Sequence, residues 1–140
     1  MNKQILKLCS ILVGLGLSAS VWAGNVVVIV NKDNDHTVDK ALVTKIYSGE
    51  VKAWNNGDKI LPLDLLENDP ERVSFSNDIV GKSVTSLKFA WAQMMFAGTA
   101  VPPKEVQSDA DVKKYVSDNQ NAIGYIKASS VDDSVKVVIK

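Results

Sequence analysis

The run VVVIV at Val26–Val30 is the feature that most constrains the fold. β-Branched side chains favour extended backbone, so the run is predicted to form a strand. It offers no polar side to water, and a strand of this kind must be covered on both of its faces. The chain therefore needs layers of structure above and below a sheet.

The first helix is predicted from the polar segment that follows, NKDNDHTVDK. Thr37 or Asp39 can cap a helix there, and apolar residues recur at helical spacing until Gly49 ends it. The same segment holds His36, the only histidine of the chain. We interpret His36 as a solvated loop residue and predict no metal site and no cofactor.

A second strand is predicted around the apolar residues of ILPLDLL, which span residues 60–66. Pro62 favours a position at the start of this strand or at the edge of the sheet, because proline has no N–H to donate to the hydrogen-bond ladder of a central strand. A helix follows, since Asp69 can cap it, Pro70 suits its first position and Glu71 suits its first turn.

The remaining elements complete an alternating pattern. Gly81 breaks the second helix, and Ser83 caps a third whose apolar stripe ends at Gly98. The segment TAVPPKEV must be extended around its two prolines, and Ser108 starts another helix. Two strand candidates, AIGYI and VKVVIK, close the chain. This order predicts an α/β fold, a mixed sheet with helices on both faces.

The first residues have the layout of a secretory signal peptide. Lys3 and Lys7 precede the apolar run LCSILVGLGL, which is followed by Val21, Trp22 and Ala23. The run is shorter than the roughly 20 apolar residues that a membrane-spanning helix needs. We predict cleavage after Ala23, a single domain over residues 24–140 and a periplasmic location without membrane insertion.

The composition of the cleaved chain excludes several functions. Without Lys3 and Lys7, 14 of the 16 basic residues remain against 16 acidic ones, which argues against nucleic-acid binding. The only cysteine, Cys9, lies in the signal region, so the mature chain has no thiol for a disulfide or a nucleophile. We find no pairing of nucleophile and base and predict that the protein is not an enzyme.

Three segments resemble a known family when taken in order. They are IYSGEVKAW (Ile46–Trp54), the junction LLENDPERVSF with Phe75 one turn into its helix, and AIGYI (Ala122–Ile126). They are similar to the second lobe of the phosphate-binding proteins of ABC importers, and to short single-domain relatives of those proteins. The resemblance implies a single periplasmic-binding-protein-like lobe and a phosphate or other oxyanion ligand.

The junction departs from the family pattern at the positions that hold the anion. With Phe75 as the anchor, Leu65 stands where the family has its phosphate-binding arginine, and Asp69–Glu71 replace Ser-Gly-Thr. Asp69 and Glu71 would instead close the helix start with their own negative charge. The residues that we predict near a weakly held anion are Asn68, Asp69, Arg72 and Ser74.

Two functions follow as hypotheses. The first is a secreted solute-binding-like protein with weak oxyanion binding. The alternative is an envelope protein-interaction module that has lost ligand binding and uses the same scaffold to contact a partner protein or a second copy of itself.

Overall fold

The computed structural model describes residues 25–140, so the predicted signal peptide and its cleavage site lie outside the described residues. The strands are β1 (Val26–Val30), β2 (Leu61–Asp64), β3 (Lys104–Glu105), β4 (Ala122–Lys127) and β5 (Lys136–Ile139). The helices are α1 (Lys40–Tyr47), α2 (Pro70–Ser74), α3 (Val84–Phe96) and α4 (Asp109–Asp118). A π-helical segment, Phe75–Val80, continues α2, and a 3-10 turn occupies Ala128–Ser130.

The strands form one mixed sheet in the order β3-β2-β4-β1-β5. β2 runs parallel to both of its neighbours, β3 and β4, whereas β1 runs antiparallel to β4 and β5. Every residue of β1 is buried, as the VVVIV run predicts. The α/β fold with a mixed sheet is confirmed.

The two faces of the sheet can be told apart at neighbouring residues of β4. Successive side chains of a strand point to opposite faces. A Cβ on Gly124 would lie 2.6 Å from Cγ1 of Val112, so that face carries α4. The ring of Tyr125 stacks on Phe75, 3.9 Å between centroids, and lies edge-on to Tyr47. The opposite face therefore carries α1 and the π-helical segment.

The predicted helix caps are present. Asp39, rather than Thr37, caps α1, since its Oδ1 accepts a hydrogen bond of 2.7 Å from the Leu42 N–H. The Ser108 hydroxyl accepts one from the Asp111 N–H at the start of α4. Gly81 ends the π-helical segment with φ +77°, a left-handed backbone conformation that glycine adopts without strain.

Pro62 is the second residue of β2, which agrees with the expected position at the start of a strand, although β2 is an interior strand. β3 pairs with β2 only from Leu63 onward, so the missing N–H of Pro62 costs no bond in that ladder. Two other details differ from the sequence expectations. The helix after Asp69 changes from α to π geometry at Phe75. His36 is half-buried and stacks on Trp54 at 4.9 Å, so its ring is not freely solvated.

Candidate functional site

A polar groove of about 700 Å³, which we name the α2–α4 groove, lies at the carboxyl ends of β2 and β4. Because these strands are parallel, their last residues meet at one end of the sheet. The starts of α2 and α4 and the 3-10 turn surround the opening. Its polar and charged lining residues are Asp69, Glu71, Gln107, Ser108, Asp109, Lys113, Lys127, Ser129, Ser130 and Asp132.

The start of α2 is closed by its own side chain. Asp69 Oδ1 accepts a hydrogen bond of 2.9 Å from the Glu71 N–H, and Pro70 at the first helical position has no N–H. The prediction of a self-capped helix is confirmed. The amides that would face an anion at this helix end are therefore partly used or missing.

Glu71 is a buried carboxyl at the edge of the groove. Its Oε1 lies 3.1 Å from Lys127 Nζ, while its Oε2 has no hydrogen-bond partner among the described residues. Burial first, and then the neighbouring Asp109 carboxyl, raise the pKa of Glu71 to about 7, although Lys127 acts in the opposite direction. Protonated Glu71 can donate a hydrogen bond to the Asp109 carboxylate, and this bond would give Glu71 Oε2 a partner.

Asp109 stays ionised beside this proton. Although burial opposes it, hydrogen bonds from Glu71 and Ser130 lower the pKa of Asp109 below its usual range. Its Oδ2 also accepts a hydrogen bond of 3.1 Å from the Lys127 N–H. The pair Glu71 and Asp109 therefore carries about one negative charge at pH values below about 7 and approaches two above it.

Arg72 lies away from the groove. Its guanidinium donates hydrogen bonds of 2.9 Å to the Leu65 carbonyl and to Glu105 Oε1, and lies 3.6 Å from Asp64 Oδ2. It borders a separate cavity of about 310 Å³ that Trp91 also lines. The cation that the sequence analysis places near an anion is thus paired with carboxylates inside the fold.

The four predicted ligand residues do not converge on one point. Asp69 lines the groove, and Arg72 lines the separate cavity. Asn68 is exposed and Ser74 is half-buried, and neither lines the groove or that cavity. Their role in binding stays a prediction.

Sequence reasoning missed the cations and hydroxyls of the groove. Lys127 directly follows the AIGYI strand, and Ser129 and Ser130 follow it in turn. Lys113 lies one turn into α4 and is paired with Asp132 at 2.9 Å. The position of Lys127 and the two serines at and just after the end of β4 would have indicated them, but only with the knowledge that β4 runs parallel to β2.

Two further properties of the described residues bear on the kind of site. Within residues 25–140, no group of three or more His, Cys, Asp or Glu side chains is arranged to hold a metal ion. In the same range, no helix combines the length and the apolar character needed to cross a bilayer.

The sequence matches a known protein family over most of its length. Residues 17–138 match the family described as the PBP superfamily domain. Comparison with curated proteins gives no match.

Solved structures share the fold. An ABC-type phosphate transport receptor from Vibrio cholerae is 24% identical, with a TM-score of 0.63 over 81% of this chain and 44% of that one. A putative phosphate ABC transporter substrate-binding protein from Clostridium perfringens, solved with bound phosphate, is 25% identical, with a TM-score of 0.61 over 81% and 43%. PstS from Borrelia burgdorferi is 17% identical, with a TM-score of 0.63 over 81% and 46%. The chain spans less than half the length of each of these structures.

Proposed function

Because the chain belongs to the PBP superfamily and is a relative of phosphate ABC transporter substrate-binding proteins, we propose that it is a secreted, non-enzymatic solute-binding-type protein. Its ligand is an oxyanion such as phosphate, held weakly in the groove between the starts of α2 and α4. The predicted signal peptide supports the secreted, periplasmic location.

The position of the groove is the observation that carries this proposal. Open α/β sheets bind ligands in the crevice beyond the carboxyl ends of their parallel strands. Here β2 and β4 end at the groove. The proposal places the ligand where the topology of the sheet leaves a crevice, and a structure with bound phosphate exists for one similar protein.

The donors of the groove suit a tetrahedral anion. Lys113 and Lys127 supply ammonium groups, and Ser129 and Ser130 supply hydroxyls. Ammonium and hydroxyl donors make charge-assisted hydrogen bonds to phosphate or sulfate oxygens. Of the four residues predicted from the sequence, Asp69 borders this position, and Arg72 is not required.

The acidic residues of the groove make the binding weak. At about 4 Å and an effective dielectric near 20, each carboxylate opposes an anion by about 4 kcal/mol per unit charge. Asp69, Glu71, Asp109 and Asp132 outnumber the two lysines, and both lysines already have carboxylate partners. Protonation of Glu71 removes one carboxylate and leaves the Lys127 ammonium free for the ligand.

The test is a titration with sodium sulfate, because sulfate keeps its charge between pH 5.5 and pH 8. We expect millimolar binding by amide chemical-shift changes around Lys127 and Ser130 at pH 5.5, and binding about tenfold weaker at pH 8. Lys127→Met should abolish the binding, whereas Lys45→Met on the exposed side of α1 should leave it unchanged. The absence of shifts in the groove at both pH values, with folded protein, would overturn the proposal.

A second candidate function is the interaction module on the same scaffold. The observation that favours it is on another face of the molecule, where α3 exposes large apolar side chains. Its partner is a protein rather than a solute.

A further inference from the structure

Helix α3 is apolar on nearly all sides and yet scarcely buried. Its sequence, VTSLKFAWAQMMF, spans 13 residues, and Lys88 is its only charged residue. A helix that is apolar all round is normally covered on all sides. In α3 only Trp91 is buried, and its indole N–H donates a hydrogen bond of 2.9 Å to the Tyr47 carbonyl.

We name the exposed large apolar residues of α3 and of the loop after it the α3 face. It consists of Phe89, Met95, Phe96 and Val101, whose exposed fractions are 66%, 53%, 97% and 75%. Exposed aromatic and methionine side chains are typical of protein interfaces, where they become the buried anchors. Nothing among residues 25–140 covers this face.

A groove of about 530 Å³ adjoins the α3 face. Its apolar lining includes Trp91, Met95, Val101, Val51 and Ile60. This volume holds a few side chains of another chain. Phe96 follows the lining residue Met95 and is almost fully exposed, so the surface has a projecting aromatic side chain as well as a depression.

The charges at this groove have one sign. Among residues 25–140, Lys52 and Lys59 are the only charged ones that line it. Lys52 Nζ donates a hydrogen bond of 2.6 Å to the Thr99 carbonyl, which holds the lysine at the groove edge beside the apolar wall. Lys88, on α3 itself, is paired with Glu67. An occupant therefore meets apolar walls and unpaired positive charge.

We propose that the α3 face and its groove bind a segment of a partner protein that carries apolar side chains flanked by aspartate or glutamate. The apolar side chains fill the groove and cover Phe96, and the acidic groups pair with Lys52 and Lys59. This inference rests on the second candidate function and is independent of oxyanion binding, since the α2–α4 groove lies elsewhere and is acidic.

Two other occupants fit the observations less well. A two-fold dimer would bring the lysines of both copies into one interface, and the described lining of the groove itself offers no carboxylate to pair with them. A small apolar anion could fill the groove, but it would leave Phe89 and Phe96 in water. An acid-flanked protein segment accounts for the walls, the charge and the exposed aromatic residues together.

The test uses the full chain expressed in its native host with a photoreactive phenylalanine analogue in place of Val101. We expect irradiation to crosslink one partner protein, and the crosslinked peptide to contain apolar residues next to Asp or Glu. In the matched control the analogue replaces the exposed Asp133, which is next to the residue Asp132 of the α2–α4 groove, and this variant should not give the crosslinked product.

A second measurement ties the crosslink to charge. A synthetic peptide of the crosslinked segment should bind the purified protein, and Lys52→Glu combined with Lys59→Glu should weaken it about tenfold or more. The double variant should keep the thermal unfolding midpoint and the sulfate titration of the unaltered protein, because neither lysine is near the α2–α4 groove.

Several outcomes would overturn the proposal. A crosslink to a second copy of the chain, to lipid or to residues 1–24 of the same chain would contradict it. So would a crosslink to a segment without acidic residues, or the absence of any crosslink. Unchanged peptide affinity in the double lysine variant would also overturn it. None of these outcomes affects the sulfate result, so failure of the inference and failure of the oxyanion proposal are separable.

Discussion

The Tyr125 hydroxyl donates a hydrogen bond of 2.6 Å to Asp64 Oδ1 across the neighbouring strands β4 and β2. The same hydroxyl oxygen accepts a bond of 3.1 Å from the Leu65 N–H. One side chain thus fixes the point where β2 ends and the chain turns toward α2. Burial raises the pKa of Asp64 to about 6, with Arg72 and the Tyr125 hydroxyl acting in the opposite direction.

We expect Tyr125→Phe to lower the free energy of unfolding by about 1–3 kcal/mol, because it leaves the buried Leu65 N–H without a partner and removes a donor from Asp64. Urea unfolding at pH 7 measures the effect. Tyr115→Phe is the matched control, since the Tyr115 ring packs beneath Lys104 Nζ and phenylalanine keeps that ring. The control should change the stability by less than about 0.5 kcal/mol. Equal effects of the two substitutions would contradict the role given to the Tyr125 hydroxyl.

Stability should fall as pH rises from about 4.5 to about 7. The folded protein holds a proton on Glu71 up to about pH 7, whereas the ordinary value is 4.5, so the folded state binds more protons than the unfolded state across that interval. Asp64 also lowers the stability as pH rises, between pH 3.8 and about pH 6, because its pKa is raised from 3.8 to about 6 in the folded state. Each group disfavours the folded state once it is ionised.

Glu71→Gln should therefore flatten the pH dependence of the stability above pH 6. It should also raise the stability at pH 8 by about 1–2 kcal/mol, less than the full pKa change implies because water in the groove screens the charge. Asp64→Asn should flatten it below pH 6. Urea midpoints at pH 4.5, 6 and 8 measure both effects, with Glu50→Gln at an exposed position as the control. A variant Glu71→Gln with the slope of the unaltered protein would show that Glu71 is already ionised at low pH.

Two substitutions of Asp69 separate capping from charge. Asp69→Ala loses the hydrogen bond to the Glu71 N–H and should cost about 0.5–2 kcal/mol of stability. Asp69→Asn keeps a capping oxygen and should preserve stability while removing a negative charge from the groove. If the oxyanion binds there, Asp69→Asn should also strengthen sulfate binding at pH 5.5. Unchanged sulfate affinity would place the ligand elsewhere.

Gly124→Ala should destabilise the fold by about 1–3 kcal/mol, because the added Cβ would lie 2.6 Å from Cγ1 of Val112 on α4. Val112→Ala removes that atom and should recover part of the loss in the double variant. A double-mutant cycle by urea unfolding gives the coupling between the two positions. Additive costs would mean that α4 does not press on Gly124.

Local signals were sufficient for much of the architecture. Full burial of β1 follows from a run without any polar side chain, and the caps at Asp39, Asp69 and Ser108 follow from residue types next to apolar periodicity. Each of these depends on neighbours within one turn or one strand. The family resemblance through Phe75 was sufficient for the fold, and Phe75 proves to stack on Tyr125 of the AIGYI segment.

The site depends on pairings that local signals do not contain. The guanidinium of Arg72 turns inward because Glu105, on β3, reaches it across 33 residues of sequence. Lys127 enters the groove because β4 runs parallel to β2, and the strand order was not predictable from periodicity. The apolar stripe predicted for α3 is buried only at Trp91, because apolar residues occur all round this helix and spacing does not tell which of them face the core.

The position of β1 has a consequence for biosynthesis. Its hydrogen-bonding neighbours, β4 and β5, are far from it along the sequence, with Val26 opposite Lys127 and Val28 opposite Ile139. Pairings between such distant segments form slowly, because a long loop must close before any contact rewards it. Residues 122–139 must therefore emerge before β1 finds its partners, and until then the apolar run VVVIV is exposed and prone to aggregation.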